Sequence, residues 1–585
     1  MTQTFQRPLR FARFLPVMLL PVLAACAQSG AVLSAGAVDS GGPVTVGILA
    51  INDFHGAIEP PRQSVLMPDG KGGTAQVPAG GAAWLGSALD SVRGNYAYSL
   101  TVSAGDLISA SQLASSIHLD EPAIGVANRI GLDFNAVGNH EFDRGQQELL
   151  RMQNGGCEQF TSRKPCAVER FKGASFKFLA ASTIRSDGKT LFPRYMIRTF
   201  GTGKRQVKVA VIGLTLKDTP TLVSPGGIKG LRFADEADTI NALVPVLKAK
   251  GADAIVVLIH QGGQQDGAPD PGACANFSGE IRPILDRLDA RVDLVVSGHT
   301  HRAYICDYAQ YNPAKPFLLT SADRQGSMVT DITLQIDPAT DKVVAKRARQ
   351  VIVQSEPYTG ARGPVPHSPL VPVFAPRADV SAYVKTYTDA ARVFSSRPAG
   401  RLAAPASGRA LGMVIADAQL AATKGAGAQI ALMNPFGVRA ALTPAAGGSL
   451  TFGDLYAAQP FGNTLVTQSM TGAELKAVLE QGFDANGPEQ VLIPSAGFSF
   501  SYDRAKPVGQ RIVSMRLNGQ PIDPAGMYRV TANSFLAQGG DAFTVFAGQH
   551  TAQVGINDLD ALELWLQGDN PRAVPAEERA VEIKP

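Results

Sequence analysis

Histidine and cysteine are scarce in this 585-residue chain, with 8 and 5 copies. Charge is sparse too: Asp, Glu, Lys and Arg make up 18%, and 54 Lys+Arg against 50 Asp+Glu leave a formal net charge of +4. So small an excess excludes a dedicated nucleic-acid binder, whose positive charge is concentrated and large. No apolar run approaches the ~20 residues that cross a bilayer as a helix. The longest candidate, Leu15–Ala25, is interrupted by Pro16 and Pro21, which excludes a bundle of membrane helices. Internal repeats with a period of about 20–50 residues are absent, which excludes a solenoid. With 45% hydrophobic residues and a mean hydropathy of +0.02, the chain is not a disordered polymer. What remains is a globular protein too long for one core at roughly 100–200 residues per domain.

The N-terminus carries Arg7, Arg10 and Arg13 and no acid before its apolar run, the pattern of a secretory signal. Leu23-Ala24-Ala25-Cys26 is similar to a bacterial lipobox. This makes residues 1–25 a lipoprotein signal peptide and Cys26 a lipidated first residue; a plain signal peptide is the alternative. Ala27, rather than Asp, after the cysteine points to the outer membrane of a Gram-negative bacterium. The expected protein is exported, periplasmic or held at that membrane only by its lipid. Residues 26–42 are small, polar and Gly-rich, as a flexible tether should be. In an oxidising compartment Cys157, Cys166, Cys274 and Cys306 read as two disulfides rather than a metal cluster. Four cysteines allow three pairings, and the shorter loops Cys157–Cys166 and Cys274–Cys306 are favoured over the others and over free thiols.

From Val44 onward, short β-branched runs such as VTVGILAI, VKVAVIGL and AIVVLIH alternate with stretches of helical period. Strands alternating with helices predict a layered α/β domain over residues 43–345. A Pro-rich linker and a connecting helix are expected over 346–396, a second domain over 397–565, and a tail over 566–585.

Five of the 8 histidines fall where these apolar runs end in a turn. AINDFHG carries Asp53 and His55, SAGD carries Asp106, and GNHEFD carries Asn139, His140 and Asp143. LIHQGG carries His260, and SGHTHR carries His299 and His301. Open α/β sheets place ligand sites at such strand ends. Side chains at i and i+2 of extended chain point to one side, so the pairs Asp53/His55 and His299/His301 are each expected to bite one ion. Imidazole, carboxylate and amide donors without thiolate suit Zn or Mn, with Fe, Co or Mg as other choices. Asp53, His55, Asp106, Asn139, His260, His299 and His301 exceed the three or four protein ligands that one open ion takes. They predict two divalent ions with one carboxylate shared.

The ordered run D-x-H, G-D, G-N-H-E, H, G-H-T-H resembles the calcineurin-like metallophosphoesterases, and with the C-terminal half it resembles the bacterial and animal 5'-nucleotidases. The resemblance spans roughly residues 44–560. It implies a four-layer α/β/β/α catalytic domain followed by a smaller α+β substrate-binding domain. It assigns Asp53, His55, Asp106 and His301 to one ion, and Asn139, His260 and His299, with Asp106 shared, to the other. It makes His140 the group that stabilises the transition state and Asp143 its orienting partner. A helix beginning at this point would put the two on one face.

In the second domain, Phe461 and Phe535 match the family's aromatic clamp for the base. Asn434 and Asp541 match its polar positions, with Asp541 toward the ribose, and Arg439 matches a phosphate contact. Phe436 stands in a turn that the family keeps Gly-rich. The family's further phosphate arginine has no clean counterpart; Arg409 lies near, displaced by two positions. The implied activity is hydrolysis of nucleoside 5'-monophosphates to nucleoside and phosphate by in-line displacement, by a monomer acting on small nucleotides rather than nucleic-acid polymers. The alternatives are 2',3'-cyclic nucleotides, nucleotide sugars or dinucleotides on the same scaffold, a thiosulfohydrolase, and a non-catalytic nucleotide-binding lipoprotein.

Overall fold

The computed structural model describes residues 42–583 apart from 162, 224, 268, 361–362, 485–488, 549, 551 and 569. The expected signal peptide, Cys26 and the tether up to residue 41 lie outside the described residues. Two six-stranded sheets form the centre of the first domain. One runs, in order, Lys342–Ile352, Met328–Asp337, Val44–Ile51, Ser99–Ser103, Phe134–Ala136 and Lys177–Leu179. The other runs Ala303–Asp307, Leu318–Ala322, Leu294–Ser297, Ala254–Ile259, Val207–Leu214 and Tyr195–Phe200. In both sheets the central neighbours are parallel, so their carboxyl ends come out together.

The strand sequences dictate the layering. In Val44–Ile51 every second residue, Val46, Ile48 and Ala50, packs between the sheets with Val209, Val211, Val256 and Leu258. Leu49 and Ile51 face outward onto helices Ala82–Arg93, Glu121–Ile130 and Gly145–Asn154. On the far side, Ile212, Ile255 and Val257 pack under helices Glu236–Ala249 and Ile281–Arg287. Strands covered on both faces must be apolar throughout, and each fully buried Val, Ile or Leu contributes about 1.5–3 kcal/mol. The result is the four-layer α/β/β/α order. No helix among the described residues is long and apolar enough to cross a membrane.

The second domain joins a five-stranded sheet, centred on Met527–Asn533, to a four-stranded one. Helix Gly408–Thr423 packs into its core through Leu411, Val414 and Ile415. Both favoured disulfides are present, Cys157–Cys166 with Cα atoms 5.5 Å apart and Cys274–Cys306 at 5.2 Å.

Three expected boundaries are corrected. Lys342–Ile352 is one strand paired throughout with Met328–Asp337, so the break at 345/346 cuts through it. It is an edge strand whose side chains are mostly exposed or half-buried, and its sequence, KVVAKRARQVI, lacks the apolar run of a central strand. The connecting helix Ala378–Ser395 is part of the first domain's core, through Val380, Val384 and Ala391. The tail is not free either, because Ala580–Glu582 adds in parallel to Phe498–Tyr502.

Candidate active site

The carboxyl ends of six strands converge on one cluster. Val44–Ile51 leads to Asp53 and His55, Ser99–Ser103 to Asp106, and Phe134–Ala136 to Asn139 and His140. From the second sheet, Ala254–Ile259 leads to His260, Leu294–Ser297 to His299 and His301, and Leu318–Ala322 to Arg324. Asp53, His55, Asp106, Asn139 and His260 are at most 3% exposed. His140, His299 and His301 are half-buried, so the cluster opens on their side.

The backbone is strained here. Asp53, His55, Asp106, His299 and His301 all have left-handed φ, between 47° and 71°. Non-glycine residues avoid this region, and such strain persists where the surrounding structure fixes it, often at functional sites. It also corrects the expectation that each i, i+2 pair shares an ion. Asp53 and His55 do fall together, joined by His301. His299 turns away from His301 and joins Asp106 and His260 instead, because a left-handed turn does not preserve the alternation of extended chain. Two glycines make room. A Cβ on Gly105 (φ +97°) would stand 2.6 Å from His260 Nδ1, and one on Gly138 would stand 2.3 Å from Asp106 Oδ1.

Asp106 lies between the two groups. Its Oδ2 is 3.0 Å from His260 Nε2 and 3.8 Å from His55 Nε2, and its Oδ1 accepts from the His140 backbone N–H at 2.9 Å. His260 Nε2 is 3.1 Å from Asn139 Oδ1, and His55 Nε2 is 3.1 Å from His301 Nε2. The other ring nitrogens of His55 and His260 meet the Ser109 and Ala104 carbonyls at 2.9 and 2.8 Å. A carbonyl can only accept, so Nδ1 donates and Nε2 is the nitrogen that faces the cluster, as metal-binding imidazoles require. Burial pushes His55 down to about 3 and His299 to about 4, which keeps both rings neutral. His260 differs: burial disfavours its charge, but Asp106 and Asp53 outweigh that and lift it to about 10, so a metal ion would displace its Nε2 proton. Nitrogen and oxygen donors and two buried carboxylates fit two divalent ions.

His140 does not face the clusters as a ligand. Its Nδ1 pairs with Asp143 Oδ2 at 2.8 Å. Burial disfavours its charge, but Asp143 and Asp106 outweigh that and lift it to about 9. The expected helix start is a 3-10 turn, His140–Phe142, with the α-helix beginning at Gly145. Residues i and i+3 eclipse in 3-10 geometry, so the pair still meets.

The second domain reaches this centre. The Phe461 ring stacks on His140, with centroids 6.1 Å apart and planes 11° apart, and the Arg439 guanidinium lies 5.5 Å from the Phe461 centroid. Asn434 Nδ2 donates to Asp541 Oδ2 at 2.8 Å, and Asn533 Nδ2 donates to Asn434 Oδ1 at 3.0 Å. Phe535 is half-buried, its ring lying over Gly540. Phe436 is 49% exposed. Arg409 is not brought to this place: it bonds Glu578 Oε2 at 3.2 Å and the Ala580 carbonyl at 3.4 Å. The C-terminal strand, which carries no motif, captures it.

Several residues that hold the site in shape are not among the sequence candidates. Glu141, inside the GNHEFD segment, is buried and accepts from the Asp106, Leu107 and Gly138 backbone N–H groups at 2.6–3.0 Å. It thereby fixes the Asp106 turn. Asn52 Nδ2 donates to Asp53 Oδ2 at 2.7 Å. Asn463 accepts from Ser534 Oγ at 3.3 Å and donates to Asp558 at 3.4 Å, tying the Phe461 loop to the Phe535 segment. A polar residue beside a motif carries no signal of its own until the partner across the fold is known.

Burial pushes the Asp558 carboxyl up to about 7 from an ordinary 3.8. The folded chain keeps a proton that the unfolded chain releases, so stability falls as pH rises between these values and is level above them. Asp558→Asn is expected to raise Tm in thermal melts at about pH 8 and to change it little at about pH 4.

Two family models match the chain: calcineurin-like phosphoesterase over residues 46–303, and 5'-nucleotidase, C-terminal domain, over residues 387–548. The chain belongs to the calcineurin-like phosphoesterases with a 5'-nucleotidase C-terminal domain. Among solved structures of this family, the 5'-nucleotidase precursor from Thermus thermophilus aligns with a TM-score of 0.70 at 25% identity. The alignment covers 92% of this chain and 100% of that one. Endonuclease YhcR of Bacillus subtilis is 31% identical over 504 residues, 84% of this chain; the chain spans only 37% of YhcR's length. Protein UshA of Salmonella pullorum is 25% identical over 513 residues, 83% of this chain and 86% of UshA.

Proposed function

We propose that the chain is an exported, metal-dependent hydrolase that releases phosphate from nucleoside 5'-monophosphates. The observation that carries this reading is the Phe461 ring stacked on His140, which joins a surface suited to a base to the phosphoryl centre. Asp53, His55, Asp106 and His301 would hold one divalent ion, and Asn139, His260 and His299, with Asp106 shared, the other. Such ions, Zn or Mn by donor type, supply Lewis-acid polarisation of the phosphoryl oxygens. His140, oriented by Asp143, donates to the phosphoryl group as charge builds on it. Arg439 binds the phosphate, Phe461 and Phe535 take the base, and Asn434 and Asp541 take the ribose. Anchoring through Cys26 and action as a monomer belong to the same proposal.

The test is phosphate release from a panel of nucleoside monophosphates, 2',3'-cyclic nucleotides, nucleotide sugars and dinucleotides, on protein of defined metal content. Activity that survives chelation by EDTA would overturn the metal dependence. Turnover confined to diesters or sugar-linked nucleotides would overturn the monophosphate assignment. Stacking of a base on an aromatic ring is worth about 1–3 kcal/mol, so Phe461→Ala is expected to raise KM for a nucleotide by about 5- to 150-fold. Hydrolysis of p-nitrophenyl phosphate, which lacks a base, should be largely spared. An equal loss on both substrates would make Phe461 a support for His140 rather than a base platform.

A further inference from the structure

Several arginines are held in salt bridges: Arg144 with Asp120, Arg349 with Asp331 and Arg409 with Glu578. Arg324 and Arg439 differ, forming no salt bridge among the described residues. Arg324 sits at the end of a strand of the second sheet, one residue beyond the left-handed Asp323 (φ 62°). Its guanidinium is 3.3 Å from His301 Nδ1 and 3.4 Å from Gln63 Oε1. Arg439 comes from the other domain and lies against Phe461. Successive contacts join the two cations: Arg324 to His301, His301 to His55 at 5.0 Å between ring centroids, His55 to His140 at 5.1 Å, then Phe461 and Arg439. Burial, and next Arg324 itself, disfavour the charge on Arg439, which Asp143, Asp106 and Asp541 only partly offset. Two guanidinium groups without a carboxylate partner, one from each domain and both beside the metal-ligand cluster, are arranged to receive an anion.

We propose that Arg324, from the first domain, binds the phosphoryl group of the substrate opposite Arg439. The assignment rests on the phosphate-ester reading above. A guanidinium presents a planar fork that matches two phosphoryl oxygens, whereas a lysine offers a point charge. Two such cations outside the metal clusters favour a dianionic phosphate monoester over a monoanionic diester.

The experiment is calorimetric titration of the metal-loaded full chain with inorganic phosphate, with metal content measured alongside. A hydrogen bond to a charged group is worth about 1.5–3 kcal/mol, so Arg324→Ala is expected to weaken phosphate binding by about 10- to 150-fold. Arg324→Lys should recover part of that loss, and Arg409→Ala should bind as the parent does. Metal content should not change in any variant. Unchanged phosphate affinity in Arg324→Ala overturns the proposal. So does loss of metal, which would make Arg324 a support for His301. A parent chain that binds phosphate through Arg324 yet hydrolyses no nucleotide would overturn the proposed function and leave this site standing.

Discussion

Replacing His140 with alanine is expected to lower kcat on a nucleoside monophosphate by about 10²–10³-fold, the usual cost of removing one preorganised donor from a transition state. Bound metal should be unchanged. The geometry separates the two effects. The Nδ1 of His140 is occupied by Asp143 at 2.8 Å, and its ring packs between His55 and Phe461. It touches Asp106 only through its backbone N–H, a contact that alanine keeps. The Nε2 is therefore the nitrogen left to donate to a phosphoryl oxygen. Asp143→Asn should give a smaller loss in the same direction, because an amide still reaches Nδ1 but no longer stabilises a charged ring. The measurements are steady-state kinetics and metal analysis on the same preparation. Full activity in His140→Ala would remove the residue from the mechanism, and lost metal would make it part of the metal-holding shell.

The fold was legible because its strands are apolar on both faces. Runs such as VKVAVIGL and AIVVLIH have few other places to go in a globular domain. The site was legible for a related reason: strand ends are local in sequence, and each carried a polar residue in a turn. What stayed hidden depends on contacts distant in sequence. The separation of His299 from His301 follows from left-handed φ values that no residue type announces; the family resemblance implied it, while the i, i+2 alternation pointed the other way. The capture of Arg409 requires a C-terminal strand whose pairing partner is about 80 residues away. Arg324 lay outside every quoted motif, although its strand ends where the others do.

The larger effect should come from Asp106, whose carboxylate lies 3.0 Å from His260 in its own ligand group and 3.8 Å from His55 in the other. Its loss should empty both sites. Metal ions supply several kcal/mol of transition-state stabilisation, so Asp106→Asn is expected to cut activity by about three to four orders of magnitude. Metal analysis gives a sharper readout than rate. His299→Ala disturbs the Asp106 and His260 group alone, and should keep the ion held by Asp53, His55 and His301 while losing the other. Asp106→Asn should retain neither. Asparagine is the better probe than alanine, because Asp106 Oδ1 also accepts the His140 N–H and an amide oxygen can still do so. Alanine would leave His260 without the buried carboxylate beside it, and breaking a buried ion pair costs about 3–5 kcal/mol. A thermal melt separates that folding penalty from metal loss. If Asp106→Asn binds as much metal as His299→Ala, the carboxylate is not shared, and the two groups are independent sites.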